Sequence, residues 1–154
     1  IMQKSELNPV SPDTPIWLNN FVEIYQSLSK NNLDLLLEIY DKNIIFIDPI
    51  HQVEGIDELY KYFQSLYENL TTCDFIIEHI ISSQDQAAIY WKMTYQHSKL
   101  NKGELVEVYG NSLIKGEGSR VLYHRDYLDL GAMLYEQIPV FGSLTKWIKN
   151  KASR

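Results

Sequence analysis

The sequence predicts an α+β domain, and three observations carry that prediction. Helical spacing of apolar residues dominates the first seventy positions, strict alternation dominates the next sixty, and turn residues punctuate the boundaries. At 154 residues the chain is one domain in length and can bury a substantial core.

Each element follows in order. Residues 1–14 are polar and proline-punctuated and read as an N-terminal arm. Pro15 suits a first helical turn capped by Thr14 or Asp13, and Trp17, Phe21, Ile24, Tyr25 and Leu28 keep helical spacing. Asn31 and Asn32 interrupt that helix before a short one bearing Leu33, Leu36, Leu37 and Tyr40. A strand at 44–47 ends at Asp48-Pro49, where proline offers no ladder donor. Gly55 opens a third helix with Ile56, Leu59, Phe63, Leu66 and Leu70 on one face. Strands are then predicted at 73–82, 86–97, 104–115 and 120–128, joined at Ser83-Gln84-Asp85 and Gly116-Glu117-Gly118. Residues 130–154 form a helical extension of the domain: a turn around Met133-Leu134-Tyr135, then a helix striped by Leu144, Trp147 and Ile148.

Composition narrows the function classes. Fourteen Lys and Arg stand against twenty Asp and Glu, a formal charge of -6, and a field of that sign disfavours nucleic acid. The basic cluster Lys146, Lys149, Lys151 and Arg154 reads as a solvated helix end favoured by the helix dipole. Cys73 is the only cysteine, so no intramolecular disulfide forms. No apolar run reaches the roughly 18–20 residues of a spanning helix, and the N-terminus lacks a signal pattern. No membrane contact and a cytoplasmic location are therefore the expectation. Eleven tyrosines suit a half-polar cavity or a subunit interface. No phosphate loop, serine triad or cysteine nucleophile setting is present, and neither a cofactor nor a metal is expected.

Two segments together resemble a known group. FIDPIHQVEGIDELYKYF, residues 46–63, is similar to the strand–loop–helix of the NTF2-like superfamily, in its SnoaL-like and ketosteroid-isomerase-like branches. GNSLIKGEGSRVLYHRDYLD, residues 110–129, is similar to its closing hairpin, and the element order agrees over 15–129. The resemblance implies a cystatin-like cone: a strongly curved antiparallel sheet packed on N-terminal helices around one internal pocket. The superfamily holds isomerases, dehydratases, cyclases and non-catalytic binding proteins, so the fold alone selects no reaction.

The resemblance places Asp48 at the isomerases' catalytic base, as a pocket carboxylate moving a proton between carbons. An Asx-type cap on the turn through Pro49 is the competing reading. Tyr25 falls near the family's helix-1 tyrosine, and Asn111 on its protonated acid. An amide donates a hydrogen bond but shares no proton, which argues against a steroid isomerase. If the family registration holds, His124 and Asp126 face the pocket as an acid–base pair, while Tyr123, Arg125 and Tyr127 face away. His51 is expected at the rim. Ile89, Trp91, Met93 and Tyr95 share one face of their strand and read as cavity wall suited to a flat apolar ligand.

The expected function is cofactor-independent acid–base chemistry on a small apolar carbonyl compound. The alternatives are a module binding a hydrophobic ligand without chemistry, and an accessory protein using the outer sheet face. Val106, Val108, Ser112 and Ile114 alternate with Leu105, Glu107, Tyr109 and Leu113, so both faces of that strand carry apolar residues. A second cover is needed, and the resemblance implies a homodimer through that face; the C-terminal helix is the other candidate.

Overall fold

The computed structural model describes residues 12–133 and 139–153. Helix α1, Ile16–Ser27, buries Trp17, Leu18, Phe21, Val22 and Tyr25. Pro15 sits at its N-cap rather than in the first turn, and no side chain caps the helix. The Pro15 carbonyl accepts instead from the amides of Leu18 and Asn19. A 3-10 turn, Leu33–Leu35, leads into the four-residue α2, Leu36–Ile39.

Tyr40 does not end that helix. It opens strand β1, Tyr40–Ile47, four residues earlier than the alternation predicts. The polar run Asp41-Lys42-Asn43 hides this start, and the pairing to β6 is irregular between Tyr40 and Ile45. Strand β2, Gln52–Glu54, was not anticipated and pairs antiparallel with β1 around the turn at Asp48–His51. Gly55 follows at φ 88°, a left-handed conformation that side chains avoid, and its amide donates to the Ile44 carbonyl.

Helix α3, Ile56–Glu68, turns Leu59, Phe63 and Tyr67 to the core. Leu66 is 41% exposed, and Leu70 belongs to the next strand, so both leave the face expected of them. Strands β3, Leu70–Ser82, β4, Gln86–His97, β5, Val106–Glu117, and β6, Arg120–Leu128, form the long antiparallel run. The six-stranded sheet has the order β2-β1-β6-β5-β4-β3 and is curved and unclosed. Among the described residues, β1 and β6 are the one parallel pair. Its concave face wraps α1, and the core fills the space between, from Trp17 and Leu36 to Ile89, Ile114 and Val121.

Gly116 shows how tightly the helix is seated. A Cβ there would lie 2.2 Å from Cδ2 of Trp17, an indole 1% exposed whose Nε1 donates to the Gln84 carbonyl. Cys73 is buried beside Tyr67, and burial pushes its thiol up to about 11, a resting thiol rather than a nucleophile.

Helix α4, Leu130–Met133, precedes α5, Pro139–Ala152. Leu134 and Tyr135, expected in the turn with Met133, lie outside the described residues. Helix α5 does not cover the outer sheet face: Leu105 is 59% and Tyr109 61% exposed.

Candidate functional site

The interior cavity lies between α1 and strands β3, β4, β5 and β6, walled by Phe21, Tyr25, Phe75, Ile77, Ile89 and Trp91. Ser112, His124 and Asp126 supply its polar edge. Its volume is about 20 Å³, room for a single water-sized group.

Alternation places these side chains. On β6 the inward positions are His124, 2% exposed, and Asp126, 19% exposed, while Tyr127 points out at 47%. On β5 the inward position is Ser112, opposite Asp126 in the ladder. Asn111, the expected pocket donor, stands on the other face between Tyr90 and Tyr127. One residue separates the two positions, and a period of two sends them to opposite sides. Ser112, in register with Val108 and Ile114, was legible in that alternation.

The polar groups form one continuous network. Both Tyr25 and Tyr40 are held as phenols, because burial raises each well above the ordinary tyrosine range. Tyr25 and Tyr40 hydroxyls lie 2.5 Å apart, and the Tyr40 hydroxyl is 2.7 Å from His124 Nδ1. His124 Nε2 is 2.6 Å from Asp126 Oδ1. Ser112 Oγ donates to the same Oδ1 at 2.5 Å, and Trp91 Nε1 donates to Ser112 Oγ at 2.8 Å.

A carboxylate only accepts, so Nε2 carries a proton, and for a neutral imidazole the rest of the network is directed. His124 Nε2–H donates to Asp126, Nδ1 accepts from Tyr40, and Tyr40 accepts from Tyr25. Two donor chains thus converge on Asp126 Oδ1, one through the imidazole and two phenols, one through the serine and indole. Tyr40 carries no periodicity signal for this role; its partner lies 84 residues away.

Asp48 stands apart from this cavity. Its Oδ1 accepts from the amides of Ile50 and His51, 2.8 Å each, and its Oδ2 from the Tyr62 hydroxyl. The carboxylate therefore braces the β1–β2 turn, as Asx geometry favours, and it is not among the residues lining the cavity, whereas Asp126 is. Burial raises the Tyr62 phenol far above its ordinary range, aided by the bond to Asp48 and by the charge of Asp126.

His51 is exposed at this turn, its ring 5.1 Å from that of Tyr62. Met93 shares the inward face of β4 but packs half-buried on the core outside the cavity wall. Tyr25 and Trp91 do line the cavity. Among the described residues no three His, Cys, Asp or Glu side chains gather in a way that could hold a metal ion.

The family model for a SnoaL-like domain matches residues 21–124, and the chain belongs to that family. No curated protein matches it in sequence. Solved structures share the fold. One, provisionally assigned as a SnoaL-like polyketide cyclase from Jannaschia sp. CCS1, has a TM-score of 0.70 at 17% identity, covering 83% of this chain and 95% of that one. An NTF2-like protein of unknown function from Burkholderia pseudomallei K96243 gives 0.70 at 12%, covering 79% and 96%. A hypothetical protein with a ketosteroid-isomerase-like fold from Catenulispora acidiphila DSM 44928, in complex with trimethylamine, gives 0.66 at 12%, covering 80% and 92%. At such identities the likeness shows the NTF2-like fold and nothing finer.

Proposed function

We propose that this chain is a cofactor-independent acid–base enzyme acting on a small apolar carbonyl compound, with Asp126 as its base. The observation that carries the reading is the convergence of two hydrogen-bond chains on one carboxylate beside an aromatic cavity. Both described bonds fall on Oδ1, which leaves Oδ2 to meet a substrate.

In the proposed step Oδ2 takes a proton from the carbon next to the carbonyl. The C–H bond breaks, an O–H bond forms on Asp126, and the electron pair moves to the carbonyl oxygen. The Tyr25 hydroxyl, turning from Tyr40, donates to that oxygen; return of the proton to carbon closes the cycle. His124 is a positioning residue that holds the carboxylate and its orientation. A cavity the size of one water fits the carbonyl end alone, so the body of the substrate must displace the rings of Phe21 or Phe75.

The test is deuterium uptake by a panel of apolar ketones and 1,3-dicarbonyls in heavy water, followed by NMR. The protein should accelerate exchange at the α-carbon, and Asp126→Asn should cut that acceleration by roughly a hundredfold or more. Thermal stabilisation by panel members without any exchange would mark a binding module instead. Asp48→Asn should leave exchange within about threefold, because that carboxylate serves a turn.

We propose further that a second copy covers the outer sheet face, where Tyr90, Leu105, Tyr109 and Tyr127 are 41–61% exposed. Light scattering should give a dimer mass, shifted to monomer by Tyr109→Asp. A monomer at every concentration would refute the proposal. No described helix is long and apolar enough to cross a membrane; a cytoplasmic location is part of the proposed reading.

A further inference from the structure

Among the described side chains of helix α5, small ones face the domain: Gly142 is buried, Thr145 is half-buried and touches the position of Gly131, and Lys149 pairs with Asp129. At 100° per residue Leu144, Trp147 and Ile148 share an arc centred about 140° from those positions, and they are 52%, 57% and 53% exposed.

Charge tells what the outward arc meets. Residues 137–154 contain Lys146, Lys149, Lys151 and Arg154 and no acid, although the whole chain is -6. Lys146 and Lys151 are both exposed; Lys151 lies within the apolar arc, and Lys146 lies about 100° around the helix from Trp147. The Lys151 ammonium stands 5.7 Å from the centre of the Trp147 ring, so cation and indole share one edge. We propose that α5 lies flat on an anionic phospholipid surface, Leu144, Trp147 and Ile148 entering the acyl boundary and the lysines meeting phosphate groups.

A second copy packed arc to arc would bury the Lys151 ammonium within an apolar contact, a desolvation that a phosphate layer avoids. Fourteen residues are too few to span, so the helix rests in the plane of the surface. The ion pair to Asp129 fixes the arc outward; its bond to Lys149 holds the Asp129 carboxyl below the usual range. The surface reading reverses the expectation of no membrane contact, which considered only spanning segments and a leader, and it stands apart from the pocket chemistry.

The test uses the full chain with sucrose-loaded vesicles of phosphatidylcholine alone or with 30% phosphatidylserine (roughly the anionic content that gives a strong surface potential). The protein should sediment with the anionic vesicles and be released by high salt. Trp17 and Trp91 are buried, so a blue shift of emission on binding reports Trp147. Lys146→Glu and Lys151→Glu should each lower partitioning by about fivefold or more. Trp147→Ser should lower it at least as far, with far-UV circular dichroism and melting unchanged. No sedimentation, equal sedimentation on both vesicles, or binding indifferent to Trp147→Ser would overturn the proposal. So would a change from dimer to monomer in Trp147→Ser, which would make a second copy the occupant.

Discussion

His124→Ala should lose about 3–5 kcal/mol of stability, because it opens a cavity and strands two polar partners at once. The imidazole is 2% exposed and packs against Phe46 at 4.7 Å and Phe21 at 5.5 Å between ring centres. Without it the Tyr40 hydroxyl loses its acceptor and Asp126 one of its donors. For a domain of this size the melting temperature should fall by roughly 6–20 °C. Tyr40→Phe keeps the ring and removes only hydroxyl bonds, so its loss should stay near 1–2 kcal/mol. Calorimetry on both variants and the double variant tests the network: additive losses would deny that the two groups act through each other.

The second large effect comes from adding one methyl group. Gly116→Ala drives a Cβ to 2.2 and 2.4 Å from Cδ2 and Cγ of Trp17. Flexible ends yield cheaply, but an indole 1% exposed on the buried face of α1 does not. We expect about 3 kcal/mol or more of destabilisation and a melting point lowered by roughly 6–12 °C. Gly118→Ala, two residues on, meets no atom within 4 Å and should lose far less, from its φ of 58° alone. Equal losses for the two variants would show that space around Trp17 is not the cause.

The fold was legible because the period of the sequence is the period of the backbone. Apolar residues at helical spacing mark α1 and α3, and alternation marks β4 and β6 to the residue. The same alternation sends His124 and Asp126 inward together. The resemblance that implied His124 and Asp126 in the pocket also implied Asn111 there, whereas the pleat turns its neighbour Ser112 inward. Asp48 is ambiguous in the sequence because both of its readings share one motif. An aspartate before proline at a strand end is the signature of a pocket base in the relatives and of an Asx turn anywhere. The bonds from the amides of Ile50 and His51 and from the Tyr62 hydroxyl support the turn reading. Tyr40 had no local signal at all, since its role is created by a strand that arrives 84 residues later.

That separation bears on how the protein is made. Strands β3 to β6 join through successive hairpins and can zip locally, whereas β1 must wait for β6, its parallel neighbour. Synthesis delivers Tyr40 early and His124 late, so the hydrogen-bond chain cannot close while the chain is still short. A nascent or truncated product ending before Arg120 carries most of the cavity wall without His124 and Asp126. On refolding, the bond between Tyr40 and His124 should be among the last to gain protection from exchange, after the hairpins are complete. The fold thereby makes the assembly of its polar centre a report on the completion of the whole domain.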